Sequence, residues 1–241
     1  MIAPIAVVTV FVAATLPAST EHSSHPVTVY EGMLSMSIPD DWREIDPMHL
    51  EELSMWAADA TAGRLVEIYQ YGFIPLDFED DPFLPHILVQ IRESGRLRYG
   101  DLLHLQPLDE IQSDTRKIFS QGFPPLIMGV AVEKVAFDPS NYCLRLEHSL
   151  DLRFRGRVRV LSAAFLTERG LVTIRYADRQ KRIGEGRRIF EQIVRSVSLA
   201  PEIAYQPRLN DRWPGLPYFF AAALVATALL AFLIHRRRSR S

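Results

Sequence analysis

The chain has 241 residues, 48% of them hydrophobic, with 27 basic and 29 acidic side chains and one cysteine. A near-neutral balance argues against nucleic acid as a partner, and the lone Cys143 excludes an internal disulfide. The fold must stand on packing, and the stretch between the two apolar ends, about 180 residues, suits a single domain.

Residues 1–20 hold an apolar run from Ile5 to Leu16, bounded by Pro4 and Pro17 and followed by small residues. This is the length and order of a signal peptide, with Ala14 and Ala18 as candidate cleavage neighbours. No Lys or Arg precedes the run, so an uncleaved short anchor is the other reading. Residues 21–26 form a polar segment with His22 and His25, a pair that lacks a third metal ligand nearby.

A domain is expected over 27–199. Val27–Tyr30 and Leu34–Ile38 are β-prone runs joined around Glu31-Gly32, with Trp42 folding back as a core plug. Asp46 caps a helix that has Pro47 at its first position and Leu50, Leu53, Trp56, Ala57 and Ala60 on one face. Leu65–Phe73 and His86–Ile91 read as strands, separated by an acidic loop with Asp77, Glu79, Asp80 and Asp81. The loop lacks the glycine and ligand spacing of a calcium loop, which makes it a solvated turn.

A second helix starts at Pro107 and stops at Gly122 and Pro124-Pro125. From Tyr142 to Phe154 apolar and polar residues alternate strictly, the pattern of a long half-buried strand. Turns at Arg155-Gly156 and at Gly170 lead into Val158–Thr167 and Leu171–Tyr176, an antiparallel meander of three strands. A closing helix to about Val197 presents Ile189, Phe190, Ile193 and Val194 at helical spacing, with Gly184 and Gly186 weakening its first turn.

Residues 200–215 read as a proline-bearing linker, and 216–234 (LPYFFAAALVATALLAFLI) as a transmembrane helix. The tail 235–241 carries Arg236, Arg237, Arg238 and Arg240, a positive-inside flank, while Trp213 and Tyr218 suit the opposite interface. Setting those four arginines aside leaves 23 basic against 29 acidic residues, a net of −6 for the exported part. The expected location is the cell membrane, crossed once, with the domain outside the cytoplasm and the C-terminus inside.

The run Gly32–Trp42 (GMLSMSIPDDW), the helix after it, the late meander and a final helix ending Phe190-x-x-Ile193-x-x-Ser196-Val197 resemble the PsbP-like and DcrB-like domains. The resemblance covers roughly residues 26–200 and implies an α+β fold, an antiparallel sheet flanked by helices as an α/β/α sandwich. It implies an exported adaptor and transfers no ligand or catalytic residue; the C-terminal span lies outside the family pattern.

The chemistry-bearing residues form no local constellation. Cys143 and His148 fall on opposite faces of one strand, and Gly184-x-Gly186 is no dinucleotide fingerprint. No catalytic, cofactor or metal residue is assigned. Arg153, Arg155, Arg157 and Arg159 flank a hairpin turn and are the one candidate patch for an anionic partner, although alternating arginines on a strand also serve as a solvated, edge-protecting surface. The expected function is a membrane-anchored extracytoplasmic binding or assembly module without catalysis, working with a protein partner at the membrane. The alternatives are an exported enzyme whose site assembles only in three dimensions, and a surface protein whose C-terminal tail is a removable sorting signal.

Overall fold

The computed structural model describes residues 23–60, 68–77, 84–100, 127–153, 156–208 and 211. The expected signal peptide, the helix from Pro107, most of the acidic loop, the span and the basic tail all lie outside them. Among the described residues no helix is long and apolar enough to cross a membrane.

The architecture is α+β, built on antiparallel sheet. Strands β1 (Ser24–Val29), β2 (Leu34–Pro39) and β10 (Ser198–Leu199) form a small sheet in the order β1-β2-β10. Strands β3 (Trp42–Glu44), β4 (Tyr71–Pro75), β5 (His86–Arg92), β6 (Ile127–Asp138), β7 (Cys143–Leu152), β8 (Gly156–Leu166) and β9 (Leu171–Arg179) form a larger one. Its order is β3-β4-β5-β9-β8-β7-β6, and every neighbouring pair is antiparallel. Helices α1 (Pro47–Ala60) and α2 (Ile183–Ser196) take opposite faces of that sheet.

Alternation along the strands explains the two faces. Ile87, Val89, Phe165, Ala163, Leu161, Val172, Ile174 and Tyr176 point one way, and meet Ile183, Ile189, Phe190, Ile193 and Val194 of α2 together with Leu34, Met36 and Ile38 of the small sheet. Trp42 is buried in the same cluster, its ring centroid 6.2 Å from that of Tyr176. On the reverse face Leu50 and Leu53 of α1 pack with Ile45 and Leu88. Asp46 caps α1 as its sequence position suggests, its Oδ1 accepting from the backbone N–H groups of Met48 at 2.9 Å and His49 at 3.1 Å.

Several elements differ from the sequence reading. The strand expected over Leu65–Phe73 is β4, Tyr71–Pro75, and β9 runs on to Arg179. The meander has a fourth strand, β6, hidden because its alternation slips at two bulges, near Met128 and Glu133. Val130 and Val132 stand opposite Leu150 and His148, while Val135 and Phe137 stand opposite Leu146 and Leu144, so the extra residue keeps one apolar face despite the change of parity. His148 is accordingly half-buried between Val132 and Val160, and Cys143 lies on the other face, fully buried.

Gly186 is more than a weak point in a helical turn. A Cβ there would sit 2.2 Å from Cε1 of Tyr176, so glycine is what lets α2 lie on the sheet over that ring. Gly184 has open space at the same position. Replacing Gly186 by Ala is expected to lower stability by about 1–3 kcal/mol through overpacking, against a neutral or slightly stabilising Gly184→Ala. Urea denaturation of the two variants checks this; equal midpoints would remove the role given to Tyr176. Trp42→Ala should cost about 3–5 kcal/mol, the range for emptying a buried aromatic site.

Candidate functional site

The described arginines of the hairpin are Arg153, Arg157 and Arg159. Arg157 and Arg159 share the α2 side of the sheet, Arg153 stands exposed at the end of β7, and Arg155 lies outside the described residues. Arg159 is drawn inward: its Nη1 donates to Oε1 of Glu147 at 2.8 Å, and its Nη2 meets Glu133, the bulge residue of β6. Arg187 of α2 reaches the same Glu147 oxygen, and Arg145 lies 3.2 Å from Glu191. Arg157 makes a longer pair with Asp151, 3.3 Å between half-exposed partners. Burial raises the Glu147 carboxyl, but Arg187 and Arg159 outweigh it and leave it lowered. Each arginine of this strip therefore has a carboxylate beside it, and the strip ties α2 to β6, β7 and β8 where the apolar cover ends.

A second polar constellation was not foreseen. Residues 200–208 and Asp211, read as linker from sequence, are laid against the end of the large sheet as a strap. Ile203 is fully buried, Tyr205 and Asp211 are buried, and Ala204 bridges to Thr167. Its receptor is the β8–β9 turn, Thr167–Gly170. Thr167 Oγ1 accepts from the N–H groups of Arg169 and Gly170, and the turn ends on a glycine whose Cβ would lie 1.9 Å from the Arg92 carbonyl oxygen. That turn offers Glu168, whose backbone N–H donates to the Ile203 carbonyl at 3.0 Å and whose Oε1 accepts from the Gln206 N–H at 3.0 Å.

Arg96, just beyond β5, closes the strap. Its Nε donates to Glu168 at 2.8 Å, Nη1 to Asp211 Oδ1 at 2.7 Å, and Nη2 to Asp211 Oδ2 at 2.5 Å and to the Gln206 carbonyl at 2.7 Å. The guanidinium lies 4.5 Å from the ring centroid of Tyr205, whose hydroxyl accepts from the Tyr99 N–H at 3.0 Å. Tyr142 packs on the same ring, centroids 4.9 Å apart. This fork-and-face geometry is what a planar guanidinium offers and an ammonium does not. Arg208 adds a 2.7 Å pair to Glu168, and its N–H donates to Asp211 at 2.6 Å.

Charge shifts follow the geometry. Arg96 holds Asp211 far below the usual carboxylate range against the opposing effect of burial. For Glu168 burial pushes up and Arg96 pushes down, with a lowered result. Burial pushes the Tyr205 hydroxyl up to about 12 and the Cys143 thiol up to about 12. Sequence held a faint signal of the strap in the alternation Ile203-Ala204-Tyr205-Gln206, but none for Arg96, which meets Asp211 across 115 positions.

No family model and no curated protein matches the chain. Among solved structures it is similar to the PsbP protein CyanoP from Synechocystis, at 14% identity and a TM-score of 0.45 over 78% of this chain and 99% of that one. It is also similar to LpqN, a protein involved in cell envelope biogenesis in Mycobacterium tuberculosis, at 12% identity and a TM-score of 0.40 over 74% and 91% of the two chains. No residue role is taken from either.

Two outcomes follow from the shifts. Asp211 and Glu168 are both lowered in the folded chain, so the stability they add to the strap is present above the ordinary carboxylate range and is lost as pH falls below about 4. Amide exchange at Gln206 and Arg208 should rise there before exchange in β8 and β9; protection unchanged down to complete unfolding would contradict the clamp. Cys143, buried and with its thiol raised, should resist a thiol reagent at pH 8 until the chain is unfolded.

Proposed function

We propose that this chain is a membrane-anchored, extracytoplasmic binding or assembly module, its domain held outside the cytoplasm by the apolar run 216–234 and meeting a protein partner at the membrane. The observation that carries the reading is the strap. The last described residue, Asp211, is buried and fixed to the body of the domain, and only four residues separate it from the apolar run that begins at Leu216. Five extended steps reach about 18 Å at most, so a span beginning there would keep the folded domain against the bilayer surface. A domain so tethered works on what lies at that surface, which is the setting of an assembly or docking role. The basic residues after the run supply its direction, since carrying Arg236, Arg237, Arg238 and Arg240 outward would oppose the positive-inside bias.

Topology and anchoring are tested together in cells. With Cys143 replaced by Ala, a cysteine at exposed Lys181 should react with a membrane-impermeant thiol reagent once the outer face of the membrane is accessible. A cysteine at Ser241 should react only after the bilayer is breached. Truncation after Asp211 should move the domain from the membrane to the soluble fraction with its melting transition intact. Labelling in the reverse order, or a membrane fraction unaffected by the truncation, would overturn the reading.

A further inference from the structure

The chain enters and leaves the domain at opposite ends of the large sheet. On the entry side, Ser23 accepts from the Asp40 N–H at 3.0 Å, Ser24 stands opposite Pro39, and Trp42 stands opposite Pro75. Through Glu44↔Phe73, Phe73↔Ile87, Ile87↔Tyr176 and Tyr176↔Leu161 the register carries Glu44 to the middle of β8, and Trp42 to the level of Arg159, on the Gly156 side of that middle. The exit side is the Leu166 end of β8, where the Thr167–Gly170 turn binds the strap. Seven steps along β8, from Arg159 to Leu166, at about 3.3 Å each separate the two levels by about 23 Å.

We infer that Arg96 is a positioning residue that fixes which end of the sheet faces the bilayer. The inference rests on the anchoring proposed above. With the strap locked, the β8–β9 and β6–β7 turns lie at the membrane surface, and the β7–β8 hairpin, the β2–β3 turn and Ser23 point away from it. The lock has the features such a role needs. All three guanidinium nitrogens are engaged with two carboxylates from different parts of the chain, Nε with Glu168 and both Nη atoms with Asp211, and Asp211 stands closest to the run that would enter the bilayer. Tyr205 and Ile203 bury the strap on the apolar side, so it cannot swing on the ion pairs alone. Without the lock the tether lengthens from four residues to about ten, since the next fixed point back along the chain is the buried Tyr205, and a coil of that length gives the domain freedom to turn.

The test uses the full chain in phosphatidylcholine vesicles that carry a lipid-linked energy-transfer acceptor. In a Cys143→Ala background a donor is placed at Asn141→Cys in the β6–β7 turn, or at Lys181→Cys beyond β9, both exposed. Flotation with the vesicles is scored first, and failure to float would overturn the anchoring and this inference with it. For floating protein, transfer from the Asn141→Cys donor should be several-fold stronger than from Lys181→Cys. Arg96→Gln should shrink that difference towards none while flotation and the main melting transition persist. Asp211→Asn, which leaves the sheet untouched, should act in the same direction if Arg96→Gln proves poorly folded. Equal transfer from the two positions in the unaltered clamp, or an undiminished difference in the Asp211→Asn chain, would overturn the assignment.

Discussion

A guanidinium withdrawn from water is stable only if its donors are matched, and the arrangement around Arg96 meets that condition with groups from two separate parts of the sequence. Glu168 comes from a β-turn, Asp211 and the Gln206 carbonyl from the strap, and Tyr205 covers the flat side of the ion. Removing one carboxylate would leave a charge short of partners at the sheet end, where its side chain is only 15% exposed. Arg96 thus holds the far half of the strap, while the Glu168 N–H on Ile203 and the Thr167–Ala204 bridge hold the near half. Together they convert a stretch with little apolar surface of its own into part of the folded body.

The same reasoning separates this cluster from the one around Glu147. Both contain arginines and carboxylates, but Glu147, Arg159, Glu133 and Arg187 join neighbouring elements that already pack through the meander and α2. Their ion pairs finish a boundary. Glu133 also does something for the sheet edge, because it is the bulge residue of β6 and turns a charge inward, while Met128 marks the second bulge. Among the described residues β6 is an outer strand twelve residues long, a length that would otherwise invite pairing with another chain. The opposite edge is β3, only three residues long, and the outer strand of the small sheet carries Pro26. These edges are blunted against strand addition.

How much of this was legible depended on whether a feature was local. The hairpin β1–β2, the cap at Asp46, the alternation of β7 and the apolar stripe of α2 each live within a dozen residues, and each was readable from spacing. Strand β6 was lost because two bulges shift its alternation, so a search for strict period two breaks at Glu133. Gly186 read as a defect because its reason, the ring of Tyr176, lies on another element. The arginine patch shows a related limit: four like residues at alternate positions suggest a common face, but Arg157 and Arg159 are paired with Asp151, Glu147 and Glu133, which sequence spacing does not place. The strap was the largest omission. Its prolines and sparse apolar residues fit a linker by composition, and only the distant Arg96 and Glu168 make it structure.

The strap also changes what the domain's end means mechanically. A flexible connection transmits neither orientation nor force, because its entropy absorbs any displacement over its contour length. Here the chain passes from the buried Ile203 through Tyr205 to the buried Asp211 held on both carboxylate oxygens by one side chain. Pulling on the chain beyond Asp211 loads Arg96, then the β5 extension that carries it, then β9 through the pairs Arg92↔Leu171 and Ile91↔Val172. The load reaches the middle of the large sheet, where each strand is hydrogen-bonded on both sides. A tether fixed to an edge strand would peel it from its single neighbour. A load entering through β5 and β9 must shear several strands together before the core opens.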